Sequence, residues 1–372
     1  MTKGYSVFLT VLFSLFLGLI LLGHLMTPDT GFSQVENRYL QSLPALSIET
    51  GANGSFMTDF ETYTTDQFPL RDLWVSTKAW CERLSGKQEN NGVYFGSFHT
   101  LINRVDPFGQ TSLEKAAEYL NTMHDGLDVP LYFGLIPSAA AIWADRLPQG
   151  APTTDEQAVI SDFYATLSVD TLPLSEALSQ HSGEDIYYRT DHHWTSLGAY
   201  YGYTALTQAM GLTPVPLDHY ERTTVARDFY GTIYSSSGVR WVPADQINTY
   251  VPAQQLSVTS YFAGTPEEGQ LYVPESLSEK DKYTYFLGGV QPLCIIETEL
   301  TDAPSVLIIR DSYSDCLAPF LTAHFSRIHL LDLRYYNMGI GSYVAEHDID
   351  CVVVLYSLSN FVSDGNLFKL AL

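Results

Sequence analysis

Apolar and polar positions follow three rhythms along this chain, and the first is an unbroken apolar run. From Tyr5 to Met26 the sequence reads YSVFLTVLFSLFLGLILLGHLM, 22 residues without a formal charge unless His24 is protonated. At about 1.5 Å per residue, a helix of that length crosses a hydrocarbon core of roughly 30 Å. Lys3 precedes the run and Asp29 and Glu36 follow it, which predicts an N-terminus in the cytoplasm and a body outside the cell. A cleaved signal peptide is the competing reading. The length of the run and the lack of an A-x-A site after it favour an uncleaved single-pass anchor in the cell membrane.

The second rhythm is helical and then alternates with short apolar blocks. Pro28 to about Thr50 reads as a polar stalk, and Phe56 to Lys87 as two helices broken at Phe68-Pro69-Leu70-Arg71-Asp72. From Thr111 onward the pattern predicts a helix capped by Ser112 through about His124, then a strand from Val129 to Ile136 that Pro137-Ser138 ends. Thr153 or Thr154 opens another helix, Thr195 or Ser196 caps a third through about Met210, and a fourth begins near Ser314. Short strands are expected at Ser305 to Ile309, Ile328 to Leu331 and Cys351 to Tyr356. This alternation predicts an α/β fold, a mostly parallel sheet flanked by helices. The third rhythm is irregular: about 212–300 is rich in Pro, Tyr, Thr and Gly and is expected to be a β-rich insertion or lid. The expected organisation is a cytoplasmic tip and transmembrane signal-anchor (1–27), a stalk and N-terminal helical segment (28–110), and an α/β domain carrying the insertion (111–372).

Charge narrows the function. With 42 acidic against 19 basic residues the net charge is −23, a field that repels phosphate backbones and argues against nucleic acid as a partner. Twenty-five tyrosines suit a sugar-binding surface, although core packing with hydrated hydroxyls is their commoner use. Cys81, Cys294, Cys316 and Cys351 lack the spacing of zinc or redox motifs, and both pairing and free buried thiols are compatible with it.

Chemistry concentrates in Asp191-His192-His193-Trp194 and in Ser312, which ends an apolar strand. In an extended segment Asp191 and His193 share a face while His192 points away. Asp191 would orient His193, and His193 would take a proton from a hydroxyl, with Trp194 walling the site. Ser312 would be presented at the sheet edge, with backbone N–H groups of the following turn aimed at a developing oxyanion. Ser314 is the rival nucleophile, disfavoured because it lies about half a turn further on. Asp191 and Ser312 could instead be ordinary helix caps. A metal site is the other bland alternative, but adjacent histidines seldom reach one ion and no further ligand pair completes a shell, so no metal or cofactor is expected.

These residues also carry a resemblance. The Asp-His-His-Trp run, Ser33-x-x-Glu36-Asn37-Arg38, Phe68-Pro69-Leu70-Arg71-Asp72, Phe229-Tyr230-Gly231-Thr232, Asp311-Ser312-Tyr313 and Asp332-Leu333-Arg334-Tyr335-Tyr336 together resemble the DHHW protein family. They are similar to the wider SGNH-hydrolase-like group that includes the alginate O-acetylation proteins. The resemblance covers nearly the whole chain beyond the anchor. It implies Asp191 as orienter, His193 as base and Ser312 as nucleophile, with Arg334 lining the site; Trp194 and Tyr313 are further substrate-binding candidates. The function expected is a membrane-anchored O-acyltransferase acetylating an extracellular polysaccharide, supplied with acetyl groups by a multi-spanning membrane acyltransferase. A carbohydrate esterase, or a non-catalytic glycan-binding or assembly protein of a polysaccharide modification system, are the alternatives.

Overall fold

The computed structural model describes residues 3–251, 255–262 and 264–372. The chain divides into two compact units: one takes in the described chain up to Asn91 with Ser235–Arg240, the other Gly92–Tyr234 with Trp241–Leu372.

The first unit opens with the helix Lys3–Met26, whose most apolar stretch has a mean hydropathy of 2.5, long and apolar enough to cross a membrane. The stalk expected after it is folded. Phe32–Ser33 pairs antiparallel with Arg38–Tyr39, and Ile48–Ala52 forms a short helix with a capping box between Ser47 and Thr50. Arg38 forks onto the Asp66 carboxylate, and Glu36 bonds both Arg38 and Arg71. Ion pairs thus tie the Ser33–Arg38 motif to the Phe68–Asp72 motif, where the turn between helices Ser55–Asp66 and Arg71–Leu84 lies.

The second unit is built on one sheet of eight strands among the described residues. In spatial order these are Thr265–Glu268, Ser257–Phe262, Leu293–Glu297, Arg327–Leu331, Ser305–Arg310, Cys351–Ser357, Leu131–Ile136 and Asp170–Thr171. The last five pair in parallel, and the first three extend the sheet antiparallel. Both faces of the parallel part are covered, which is why these strands read as continuous apolar runs rather than alternating ones. Val306, Ile308, Val353 and Leu355 pack into one core, while Leu307, Ile309, Val352 and Val354 pack into the other, as the two-residue period of a strand requires.

The helix Ser196–Ala209 starts where its cap was expected, with the Thr195 hydroxyl accepting from Gly198 N–H. Two other starts differ by a few residues: Gln110–Gly126 begins after Gly109, and Glu156–Tyr164 is capped by the Asp155 carboxylate. The helix expected near Ser314 is only a tight turn, Ser312–Cys316, followed by the single-turn helix Ala318–Leu321. Pro319 has no amide hydrogen to bond back along the chain, so a continuous helix cannot run through it. The 212–300 segment supplies the antiparallel hairpin of Glu221–Phe229 with Asp245–Val251, as well as three strands of the main sheet.

Candidate active site

The site sits at the carboxyl ends of the parallel strands. Directly after the strand Ser305–Arg310, Asp311 turns the chain by accepting Tyr313 N–H at 3.0 Å. Its other oxygen accepts Ser357 N–H (2.9 Å), the Ser357 hydroxyl (2.7 Å) and the Asn360 amide (2.8 Å), tying this turn to the end of the neighbouring strand. Ser312 is thereby held at the edge of the sheet, half-buried.

The Asp-His-His-Trp run forms a tight loop, closed by an antiparallel bridge between Tyr187 and Trp194 and by Tyr188 N–H bonding the His193 carbonyl. Buried Asp245 organises it, accepting Arg189 N–H, Thr190 N–H and the Thr190 hydroxyl. Within the loop the His193 Nδ1–H donates to Asp191 Oδ1 at 2.6 Å, which leaves Nε2 to accept the Ser312 hydroxyl at 2.8 Å. Asp191, His193 and Ser312, 119 residues apart at the widest step, form one unbroken hydrogen-bonded array. Ser314 is fully buried and its hydroxyl meets no partner among the described residues.

Asp191 is buried, which opposes ionisation, yet its carboxyl is held well below the usual carboxylate range by the two adjacent imidazoles and four hydrogen bonds. These come from His193 N–H (3.0 Å) and Nδ1–H, and from Thr232 N–H (2.8 Å) and hydroxyl (2.9 Å). Gly231 lets Thr232 come this close: a Cβ there would lie 2.2 Å from Asp191 Oδ2. Tyr283 stacks flat on His193, with ring centroids 3.7 Å apart, and donates its hydroxyl to the Ser312 carbonyl at 3.0 Å. Beneath the turn, Arg310 and Asp315 form a buried ion pair at 2.9 Å that is not aligned for a hydrogen bond, and burial pushes Asp315 up to about 7.

Several expectations are corrected. His192 does not point away from His193; their rings lie 3.9 Å apart, because His193 N–H folds back onto Asp191 and the loop is bent rather than extended. Its Nδ1 meets the Thr232 hydroxyl at 2.7 Å, and burial together with the neighbouring His193 pulls its pKa down to about 4. Trp194 is fully buried and walls nothing that a substrate could reach. It instead ties the two halves of the site together, donating its indole N–H to the Tyr313 carbonyl at 2.8 Å. Tyr313 answers by donating its hydroxyl to the His192 carbonyl. The amides of Tyr313 and Ser314 are committed to Asp311, so they are not oxyanion donors in this geometry. Arg334 is clamped by Asp332 and lines a separate hollow of about 230 Å³ with Asp311 and Asn360; no hydrogen bond or ring contact joins it to the array among the described residues.

Beside the array opens a pocket of about 460 Å³, lined by His192 and Tyr313 and by the segments that follow strands Leu131–Ile136 and Cys351–Ser357. Clefts at the carboxyl ends of parallel strands are where open α/β sheets bind ligands. A metal ion is a poor fit to Asp191, His192 and His193, although one donor atom of each lies within 4.8 Å of the others. Both Nδ1 atoms, the His193 Nε2 and both Asp191 oxygens are already used by protein hydrogen bonds. All four cysteines are free, and burial pushes the Cys294, Cys316 and Cys351 thiols up to about 12, which leaves them unreactive.

A buried Asp–His pair hydrogen-bonded to a serine thus lies at the edge of a helix-flanked, mostly parallel sheet. The chain belongs to the DHHW protein family, whose model matches residues 120–331. A crystal structure of a DHHW family protein from Eubacterium siraeum has 24% identity and a TM-score of 0.68, covering 76% of this chain and 95% of that one. Bacillus cereus PatB1, solved with a sulfonyl adduct, has 23% identity and a TM-score of 0.62, covering 73% and 95%. A Pseudomonas fluorescens protein named "Probable alginate O-acetylase AlgJ" is 22% identical over 164 residues, 40% of this chain and 41% of the relative. The match therefore spans less than half of that relative's length.

Proposed function

We propose that this protein is a membrane-anchored serine O-acyltransferase that acetylates a cell-surface or secreted polysaccharide. The observation that carries the reading is the unbroken array from Asp191 through His193 to the Ser312 hydroxyl. In the first half-reaction Ser312 Oγ attacks the donor's acetyl carbonyl while its proton passes to His193 Nε2. The donor's leaving atom takes that proton, and the acetyl group stays on Ser312 as an ester. A sugar hydroxyl then gives its proton to His193 and adds to the acetyl carbonyl, and Ser312 leaves reprotonated. Asp191 stays ionised throughout and holds the imidazole in the productive tautomer. The apolar helix Lys3–Met26 supports retention in the membrane, Lys3 before it and Asp29 and Glu36 after it support a body outside, and a multi-spanning acyltransferase would deliver the acetyl group. The name of the Pseudomonas fluorescens relative, "Probable alginate O-acetylase AlgJ", supports a polysaccharide as acceptor.

The test is turnover of 4-nitrophenyl acetate by the full chain in detergent, with intact-mass detection of the acetyl adduct. Ser312→Ala is expected to abolish both the adduct and turnover, and phenylmethylsulfonyl fluoride to block them in the unsubstituted chain. His193→Ala is expected to be comparably damaging, because base and nucleophile act as a unit. Full turnover by Ser312→Ala would refute the covalent mechanism. Acetate released only to water, with no transfer to any glycan, would make the protein an esterase instead.

A further inference from the structure

Among the described residues, the pocket beside the array has no uncommitted positive charge on its walls. Arg104 is the cationic side chain among its lining residues, and it is met at two points by Asp106: Nε to Oδ1 at 2.9 Å and Nη2 to Oδ2 at 3.4 Å. The remaining polar lining is neutral, from Asn103, Ser138, Ser357, Ser359 and Asn360, while Phe108, Ile233 and Tyr313 supply apolar surface. His192 adds an imidazole that burial keeps uncharged near neutral pH. Other cations of this unit are matched in the same way: Arg334 by Asp332, Arg189 by Asp245 and Lys282 by Asp228. Around all of this lies a chain of net charge −23.

A glycan carrying a carboxylate or sulfate on each ring would enter this field against repulsion and find, among the described lining residues, no free cation to compensate the loss of its hydration. A sugar chain bearing only hydroxyl and acetamido groups meets no such penalty. It can use the exposed Asn103 and Ser359 side chains for hydrogen bonds, and the half-buried Phe108 ring for its apolar ring faces. We infer that this pocket takes an uncharged glycan and discriminates against polyuronates. The inference rests on the acyltransferase reading for its choice of a carbohydrate, and it separates this chain from a relative named for alginate, a polyuronate.

The experiment measures binding to full-length Ser312→Ala in detergent, which needs no turnover. The probes are chitotetraose, cellotetraose and mannotetraose against tetramannuronate and tetragalacturonate. At low salt, at least one neutral tetramer is expected to bind about tenfold or more tightly than either uronate, and the gap should narrow as salt screens the field within about 10 Å. Asp106→Asn, by removing the carboxylate charge beside Arg104, should raise uronate binding relative to neutral binding by about threefold or more. A uronate that binds as well as the best neutral tetramer overturns the inference, and so does failure of every neutral tetramer to bind at roughly 10 mM, the weak end of specific recognition. Ester turnover by the unsubstituted chain is scored separately. Turnover with a uronate preference would sink this inference alone, while absence of turnover with neutral-glycan binding would sink the acyltransferase reading alone.

Discussion

Replacing Gly231 by alanine tests whether the site depends on the placement of Asp191, without substituting any member of the array. The added methyl would fall 2.2 Å from Asp191 Oδ2, 2.3 Å from its Cβ and 2.6 Å from its Cγ. Ordinary carbon contacts lie at about 3.5–4.0 Å, so the Asp191 side chain or the Gly231 backbone must move by about 1 Å. Neither is free to do so cheaply. Asp191 is buried and held through both oxygens, and Gly231 N–H donates to the Thr190 hydroxyl at 3.2 Å. Overpacking of this kind costs roughly 1–3 kcal/mol of stability. An ångström of displacement in a group that orients the base costs about 10²-fold in rate. Turnover of 4-nitrophenyl acetate should therefore fall about 10²-fold while the protein still folds, with a lower thermal midpoint. The cost should be relieved when the obstacle is removed: in an Asp191→Gly background, Gly231→Ala should lose at least about half of its effect on the unfolding midpoint, because neighbouring changes couple. Turnover within about threefold of the unsubstituted chain, with an unchanged midpoint, would refute the reasoning. An equal stability cost in both backgrounds would show that the strain lies elsewhere.

Two further outcomes follow from the same geometry. His192 has a pKa of about 4 in the folded protein, against an ordinary value near 6.5, so on acidification the unfolded chain takes up its proton first. Stability is then lost as pH falls from about 6.5 to about 4, and His192→Asn should show a smaller drop in chemical-denaturation stability across that window; an unchanged drop would rule His192 out as its source. Tyr283→Phe keeps the ring on His193 but loses the hydrogen bond to the Ser312 carbonyl, and should cost about 1 kcal/mol of stability with little loss of turnover. Tyr283→Ala removes the ring as well and should lower turnover about tenfold or more; equal turnover in the two variants would mean the stacking does not position the base.

What the sequence made legible follows from how much of each element's environment is local. Ser305–Arg310 and Cys351–Ser357 are buried on both faces, so their apolar runs stand out without any knowledge of their neighbours. The Asp191–His193–Ser312 array was likewise readable, because its acid and base share one tetrapeptide and its serine ends a recognisable strand. His192 and Trp194 were misplaced for one reason: the two-residue alternation holds in a strand, and Asp191 to His193 is a bend in which the side chain of Asp191 captures the backbone of His193. Gly231 and Thr232 appeared only as a motif without a role, and Tyr283 had no signal at all. All three fall in the irregular stretch between about 212 and 300, where neither helical nor strand periodicity marks which residues face inward. That stretch was expected to form an insertion or lid. Its residues instead hold the Asp191 carboxylate through Thr232 and cover the His193 ring with Tyr283, so the insertion is part of what orients His193. A chain with the same tetrapeptide and serine but a different insertion would keep the three chemical groups and lose the contacts that fix their tautomer and angle.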